Sequence, residues 1–263
     1  MATTVYGVLG VGAIGAAIVT GLCDGVDRPP GVLLSPRSAG VAAALAARFP
    51  GVRVAHDNQA VVDGADVVVL CLRPHDAREA LGLLRFRAEQ PVVSAMAGVS
   101  IEALASLVAP AHDVSRVIPL PSVARRSGMT PVHPPNAAAH ALFAALGGAF
   151  DVPDVDVFDA LSASTSTLST YFAYLDVIAR WLAERGVAEP HATRYVASVF
   201  TGLAAELDDA RDFAQLAREH TTPGGINAQL HDFLREAGMF DRVGLGLDRV
   251  YDRLRAARRP GGT

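Results

Sequence analysis

Residues 5–22 read VYGVLGVGAIGAAIVTGL, and the interpretation of the whole chain starts from this stretch. Val5–Leu9 is mostly apolar, as in a buried strand, and apolar residues recur at helical spacing from Ile14 onward. Between them, GVGAIG at residues 10–15 permits a tight turn, a close approach to a pyrophosphate and packing of helix on strand. Such a turn also occurs for packing reasons alone, but the strand–turn–helix order favours a dinucleotide site at the helix start.

Composition limits the classes of function. With 263 residues, 51% of them hydrophobic, the chain can form one large domain or two smaller ones with hydrophobic cores. The net charge is −4, and the densest basic patch, near Arg255, is interpreted as a solvated helix end, so nucleic-acid binding is not expected. Because no apolar stretch reaches membrane-spanning length and no basic region precedes the first apolar run, we expect a cytoplasmic protein without membrane contact.

The cysteine and lysine content further limits which kinds of catalytic chemistry are possible. Cys23 and Cys71 lie in apolar surroundings, which favours packing roles over a disulfide, a metal pair or a nucleophile. The sequence contains no HExxH or CxxC spacing, so no metal site is predicted. All 23 basic residues are arginine. The absence of lysine excludes Schiff-base chemistry and lysine acid–base catalysis, because arginine does not deprotonate in the useful range.

Strands and helices alternate through the first part of the chain. Strands are predicted at residues 31–35, 52–55, 65–72, 91–95 and 114–118, with edge strands at 129–133 and 155–158. Helices are predicted at 39–49, 101–108 and 137–146, and another begins near Asn58. This alternation predicts an α/β fold, a doubly wound parallel sheet of the Rossmann type, over residues 1–159.

The end of the second strand indicates which dinucleotide binds. An NAD-binding chain has an acidic residue there to hold the ribose 2′-hydroxyl, whereas this chain has Ser35, followed by Arg37 two residues later. A hydroxyl and a guanidinium suit a 2′-phosphate. The same segment also suits the cap of the following helix, and both roles can hold at once. We therefore expect NADPH to be preferred over NADH.

The pattern changes after Asp159, where strands stop and apolar stripes at helical spacing begin. Helices are predicted at residues 167–185, 192–207, 226–237 and 240–257. A sharp break at Pro223-Gly224-Gly225 precedes the last two. A segment of about 100 residues buries little surface alone, so part of it is expected to pack against a second subunit. Residues 160–263 are therefore predicted to form an all-helical substrate and dimerisation domain.

Several segments, in order from residue 5 to about residue 255, carry a family resemblance. They read GVLGVGAIGAAIVTGL, SPRS, Asn58 before ADVVVLCLRP, VVSAMAGVSIEAL, SRVIPLPS with SGMT, and TTPGGINAQLHDFLREAGMF. This set resembles the pyrroline-5-carboxylate reductases; AGVS and PGG are its more specific parts, since many dehydrogenases share the glycine turn. The resemblance implies an NADPH-dependent reductase of a cyclic imine, as in L-proline biosynthesis, that forms a homodimer or a ring of dimers.

The resemblance also implies site residues. Those expected to contact the cofactor are Gly10, Gly12, Ala13, Ile14, Gly15, Ser35, Arg37, Asn58, Leu72, Arg73, Pro74 and Ala97. The imine would lie between the nicotinamide and the helix start after PGG, usually from the neighbouring subunit. Residues expected to bind it are Gly224, Gly225, Ile226 and Asn227, and those assigned to catalysis are Asn227 and Thr222. The N–H groups at that helix start suit a carboxylate.

The sequence departs from the family on the substrate side. PLPS at residues 119–122 replaces the usual PNTP, and STSTLST at 164–170 stands where the family has an SGSxPAY-like segment. Ile226 and Asn227 replace threonines, one of which is the proposed proton donor of the family, and an amide is not an acid of useful strength. His220 is a candidate acid by its ordinary pKa, although a surface role is favoured for it.

Three alternatives remain open from the sequence. The protein could bind NADPH without catalysis, or reduce a different imine, because Asn227 and PLPS alter the substrate side. The PGG segment could simply connect two helices. The 3-hydroxyacid dehydrogenases also join a Rossmann domain to a helical half, but their catalytic lysine has no counterpart in this chain.

Overall fold

The computed structural model describes residues 4–208 and 212–258; the terminal residues of both predicted domains lie outside these ranges. Eight strands form one sheet. They are β1 (Val5–Leu9), β2 (Gly31–Leu34), β3 (Val52–Val54), β4 (Val67–Leu70), β5 (Val92–Ser94), β6 (Val114–Val117), β7 (Thr130–His133) and β8 (Ala149–Asp151). The spatial order is β3-β2-β1-β4-β5-β6-β7-β8, and every pair is parallel except β6 with β7.

Helices cover both faces of the sheet and then make up the rest of the chain. Those before residue 165 are α1 (Ala13–Cys23), α2 (Ala39–Arg48), α3 (Asn58–Gly64), α4 (Ala77–Leu81), α5 (Ile101–Val108), α6 (Ala137–Ala144) and α7 (Val155–Ser164). The remainder are α8 (Thr167–Ala183), α9 (Glu189–Gly202), α10 (Ala204–Asp208), α11 (Phe213–Glu219), α12 (Ile226–Glu236) and α13 (Met239–Ala257). The predicted fold class, a Rossmann-type sheet followed by an all-helical region, is confirmed.

Two hydrophobic clusters pack on the sheet. One contains Val8, Ile18 and Phe143, and the other contains Leu70, Leu104 and Val108, all of them fully buried. The sheet changes its winding direction between β1, which leads outward to β2, and β4 on its other side. In α/β sheets the crevice at such a switch point, beyond the carboxyl ends of the strands, is where ligands bind.

One predicted strand is wrong. Residues 155–158 were expected as an edge strand because valines alternate there, but they form the first turn of α7. The Asp154 carboxylate accepts the backbone N–H groups of Asp156 and Val157 at 2.7 and 3.3 Å, which satisfies free donors at a helix start. The edge strand is instead β8, at Ala149–Asp151.

Shorter elements also differ from the sequence expectation. The helix expected over residues 192–207 is divided into α9 and α10 at Leu203, directly after Gly202, a residue with poor helix propensity. Helices α4 and α11 were not anticipated. The Asp212 carboxylate starts α11 by accepting the N–H groups of Ala214 and Gln215 at 2.9 and 3.2 Å.

The described chain divides into two compact units. The first holds the residues up to Ser162 together with those from Arg253 onward, and the second is Ala163–Asp252. In the first unit, the buried pair of Arg116 on β6 and Asp159 on α7 is joined at 3.5 Å, and Arg258 reaches the same carboxylate at 3.0 Å. The second unit consists of helices, of which α8 and α9 pack on each other.

Candidate functional site

The glycine turn after β1 has three glycines with three different roles. Gly10 has φ +94°, and a Cβ there would lie 2.5 Å from the carbonyl oxygen of Cys71. A Cβ at Gly15 would collide with the carbonyl oxygen of Gly10. Gly12, at the start of α1, has an ordinary φ of −84°, and a Cβ there would meet nothing within 4 Å. Gly10 and Gly15 are therefore required by the fold, whereas Gly12 borders open space.

A cavity of about 330 Å³ lies at this turn, between the carboxyl ends of β1, β2 and β4. It is lined by Gly10, Val11, Gly12, Ser35, Arg37, Ser38, Asn58, Cys71, Leu72, Arg73, Asp76 and Ala80. The predicted cofactor residues that come together here are Gly10, Gly12, Ser35, Arg37, Asn58, Leu72 and Arg73. The open backbone at Gly12 and the free N–H groups at the start of α1 are what a pyrophosphate requires, so the residues present fit a dinucleotide.

The other predicted cofactor residues do not line this cavity. Ala13 and Ile14 form the first turn of α1, and Gly15 is packed beneath them. Pro74 begins a short 3-10 turn after β4. Ala97 lies in the turn after β5 and is exposed, next to Gly98 at φ +74°.

Ser35 ties the glycine turn to the end of β2. Its side chain is buried, and its hydroxyl accepts the backbone N–H of Gly10 at 2.9 Å. Because a hydroxyl can accept and donate at the same time, this bond leaves Ser35 able to donate to a ligand. One residue thus positions the turn and faces the cavity.

Asp76 is a cavity residue that sequence reasoning missed. Its carboxylate forms an ion pair with Arg37, with Nη1 and Oδ2 at 3.3 Å. The position just beyond the carboxyl end of β4, in the turn that begins at Pro74, was the available signal, because this edge of the sheet binds ligands. The ion pair itself could not be foreseen, since the partners are 39 residues apart in the sequence.

Cys71 borders the same cavity without a chemical role. Burial raises the pKa of its thiol to about 12, so the thiol stays protonated at neutral pH. Cys23 is buried and free. The contribution of Cys71 to the site is its backbone, whose carbonyl group lies against Gly10.

A second cavity, of about 410 Å³, lies in the helical unit beside the PGG turn. Its lining residues are Tyr174, His220, Thr221, Asn227, Leu230, His231, Leu234, Met239 and Phe240. Of the predicted catalytic and substrate-binding residues, Asn227 lines it, and Thr222, Gly224, Gly225 and Ile226 do not. Gly224 has φ +69° in the turn, Gly225 is the residue at which α12 begins, and the Ile226 side chain is 84% exposed.

Asn227 and His220 are connected by hydrogen bonds. The Asn227 amide donates from Nδ2 to the carbonyl oxygen of His220 at 2.9 Å. The His220 ring lies 2.8 Å, Nε2 to Oε2, from the carboxylate of Glu206 on α10. This hydrogen bond, helped by the negative charge of Glu206, raises the pKa of His220 above its ordinary value. Glu206 was missed from the sequence because it lies 14 residues before His220.

The altered PLPS segment packs against the first unit's own backbone. Residues 121–125 form a 3-10 turn close to α1, where a Cβ at Gly21 would collide with the carbonyl oxygen of Val123. Arg126 follows with φ 51° and donates from Nη1 to the carbonyl oxygens of Gly21 and Asp24, at 3.0 and 2.7 Å. Arg126 is therefore a structural residue of this loop.

The described residues contain neither a metal-binding cluster nor a membrane-spanning helix. Among residues 4–208 and 212–258, no group of three or more His, Cys, Asp and Glu side chains is placed to hold a metal ion. Within the same ranges, no helix has the length and apolar character needed to cross a membrane.

Both halves of the chain are similar to known protein families. The model of NADP oxidoreductases described as coenzyme F420-dependent matches residues 5–98, and that of pyrroline-5-carboxylate reductase dimerisation matches residues 154–257. A pyrroline-5-carboxylate reductase of Corynebacterium melassecola is 28% identical over 253 residues, covering 90% of this chain and 92% of that protein.

Solved structures show the same fold. A 1-pyrroline-5-carboxylate reductase from Streptococcus pyogenes has a TM-score of 0.81 at 22% identity, over 97% of this chain and 99% of that one. A pyrroline carboxylate reductase from Plasmodium falciparum with NADP bound has a TM-score of 0.81 at 15% identity, over 98% of this chain and 100% of that one.

Proposed function

We infer that the chain is a member of the pyrroline-5-carboxylate reductase family, and that it is an NADPH-dependent reductase of the C=N bond of a small cyclic imine. The observation that carries the proposal is the cavity at the glycine turn. Gly12 leaves room for a pyrophosphate there, and Ser35 and Arg37 stand where a 2′-phosphate would bind. The preference for NADPH over NADH rests on these two side chains.

The residues divide the work of binding. Gly12 and the first N–H groups of α1 would hold the pyrophosphate. The adenosine end of the cofactor would be bound by Ser35, Arg37 and Asn58. We assign Ala13, Ile14, Gly15, Leu72, Arg73, Pro74 and Ala97 to the same cofactor as supporting contacts. When bound, NADPH supplies the hydride. The protein must then orient the imine and supply a proton.

The helical unit would provide the binding site for the substrate. The start of α12, at Gly224, Gly225 and Ile226, offers backbone N–H groups for the carboxylate that a pyrroline-carboxylate carries. Thr222 and Asn227 are the proposed catalytic-site residues at this turn. Since the Asn227 amide donates to the carbonyl of His220, Asn227 holds the turn in place.

His220 is the group in this cavity best suited to donate the proton to the imine nitrogen. Glu206 raises the pKa of His220, so a larger fraction of the ring is protonated near neutral pH than for an unpaired histidine. An acid with a pKa near the working pH is an effective general acid. In this proposal His220 takes the part that the family gives to a threonine, because Asn227 occupies that position.

Subunit association is part of the proposal. Large apolar side chains of the helical unit are exposed, among them Phe172, Phe213 and Phe233, at 66%, 71% and 66%. A homodimer formed through these helices would cover them.

The first experiment uses the purified protein, NADPH and pyrroline-5-carboxylate, and follows loss of reduced-cofactor absorbance while NADPH binding is titrated separately. The proposal expects NADPH binding and turnover, with both lost in Gly12→Val, whose side chain would fill the open space at the turn. Absence of NADPH binding in the folded protein would contradict the assignment of the cavity at the glycine turn as a cofactor site, and with it the whole proposal.

A second candidate function is favoured by the altered substrate side. Ile226 and Asn227 after PGG, and PLPS at residues 119–122, favour reduction of an imine other than pyrroline-5-carboxylate, or NADPH binding without catalysis. Tight NADPH binding with turnover of another cyclic imine would support the first version. Binding without turnover of any imine in a panel of ring sizes would support the second.

A further inference from the structure

Arg37 and Asp76 form a two-contact ion pair within the cofactor cavity. Arg37 Nη1 lies 3.3 Å from Asp76 Oδ2, and Nη2 lies 3.5 Å from Oδ1. Both side chains line the same cavity as Gly10, Gly12 and Ser35. The guanidinium from the segment after β2 is therefore engaged by a carboxylate from the segment after β4, at the position where a 2′-phosphate would bind.

The two partners differ in their exposure to water. The Asp76 side chain is 19% exposed and that of Arg37 is 65% exposed, so the carboxylate is the sheltered member of the pair. His75 Nε2 lies 3.6 Å from the same carboxylate, but its ring is 72% exposed. Asp76 thus presents a negative charge inside the cavity, and solvent screens this charge less than that of a fully exposed carboxylate.

The 2′ substituents of the two cofactors respond to this charge in opposite ways. A 2′-phosphate that binds the Nη1 and Nη2 end of Arg37 must displace Asp76 from it, and on any edge of Arg37 it lies close to a like charge. A 2′-hydroxyl is neutral and can donate a hydrogen bond to a carboxylate, which is the usual way of holding NADH. Ser38 and Asn58 in the same cavity are neutral and serve either cofactor.

We propose that Asp76 is a specificity-determining residue, which opposes Arg37 and gives the site the ability to bind NADH as well as NADPH. Arg37 favours the phosphate and Asp76 disfavours it. Arg73, the other arginine that lines this cavity, is unchanged in every variant compared below, so its charge affects all of them equally. The inference rests on the proposed function only in taking this cavity as the dinucleotide site.

The test measures dissociation constants for NADPH and NADH by titration calorimetry, without any imine. Asp76→Asn should tighten NADPH about threefold to tenfold and leave NADH unchanged or up to about threefold weaker. Arg37→Ala should weaken NADPH about tenfold or more and change NADH less than about twofold. In the double variant, the gain from Asp76→Asn should shrink, because part of it comes from releasing Arg37.

Two further variants separate charge in the cavity from charge in general. Glu79→Gln removes the same charge three residues further on, from an exposed side chain that does not line the cavity, and should leave the NADPH-to-NADH ratio unchanged. Asp76→Glu keeps the charge and should keep the ratio near that of the unmodified protein. Thermal melting checks that each variant is folded.

The outcomes are distinguishable. If neither cofactor binds the folded protein, the proposed function fails. If both bind and the ratio is the same in Asp76→Asn as in Glu79→Gln, the proposed function stands and the role of Asp76 is overturned. A parallel loss of both cofactors in folded Asp76→Asn would also overturn it, because Asp76 would then only position the loop.

Discussion

The two units of the chain bury their apolar side chains to very different degrees. The first encloses two hydrophobic clusters, one on each face of its sheet. In the second, the apolar residues that are buried are Ala163, Ala192 and Val196, and all the exposed phenylalanine, tyrosine and tryptophan side chains of the described residues belong to this unit. The comparison indicates that the first unit has a hydrophobic core complete within one chain, whereas the second needs another surface to cover its helices.

The largest expected effect is on the turn that the first unit depends on. Gly10→Ala places a Cβ against the carbonyl of Cys71 in a backbone with φ +94°, and should reduce the free energy of unfolding by about 3–5 kcal/mol. Gly12→Ala is the matched control, since its φ is ordinary and its Cβ meets nothing, and should change stability by about 0.5 kcal/mol or less. Chemical denaturation measures the free energy of unfolding of both variants. Equal losses of stability would contradict the different roles assigned to Gly10 and Gly12.

The next effect concerns the buried charges of the first unit. Asp159 is fully buried against Arg116 and Arg258, so Asp159→Asn leaves buried guanidinium charge uncompensated and should cost about 3 kcal/mol of unfolding free energy. Burial lowers the pKa of Arg116, and Asp159 opposes that shift.

The matched control for this change lies on the same helix. Asp156, 47% exposed, also pairs with Arg258, and Asp156→Asn should cost clearly less than Asp159→Asn, because water screens an exposed ion pair. Urea denaturation of both variants compares them directly. A cost for Asp156→Asn as large as that for Asp159→Asn would show that burial does not set the difference.

In the second unit, the expected effect is on association. Phe233→Asp puts a charge at an apolar side chain that is 66% exposed in a single chain, and should weaken the proposed homodimer by about 2 kcal/mol while the helices stay folded. Sedimentation velocity over a range of protein concentrations measures the change, and circular dichroism checks the fold. Glu236→Gln, an exposed change on the same helix, should leave association unaltered. If the Phe233→Asp protein sediments like the unmodified one, the helix face that carries Phe233 is not part of the interface.

The smallest expected effect is the titration of His220. Glu206 raises the pKa of His220 in the folded protein, so this pair stabilises the fold below the ordinary histidine pKa near 6.5 and loses its contribution as pH rises through the folded value. Glu206→Gln should lower the pKa of His220 towards 6.5. Glu219, the weaker of the two groups that raise the pKa of His220, provides the control, since Glu219→Gln should lower this pKa less. NMR titration of the histidine ring protons measures the pKa of His220 in both variants. Equal changes in the two variants would show that the overall negative charge nearby, and not the contact with Glu206, raises this pKa.

The same contrast separates what could be predicted from what could not. Local signals sufficed for the strand–turn–helix at residues 5–22, because glycine spacing and apolar runs act between neighbours in sequence. They failed at residues 155–158, where two alternating valines resembled a strand, and the Asp154 carboxylate starts a helix instead. Two groups at the candidate sites escaped prediction. Asp76 pairs with Arg37, 39 residues away in the sequence, and Glu206 pairs with His220, 14 residues away.

The sequence by itself determined the Rossmann-type sheet, the helical second half and the glycine turn suited to a dinucleotide. These follow from short-range periodicity and from backbone conformations that only glycine adopts easily. Only the tertiary structure decided that Arg37 is engaged by Asp76, that His220 is paired with Glu206 and that Asn227 holds the loop before its helix. The physical reason is that charge and hydrogen-bond interactions depend on distance in space, and folding determines those distances.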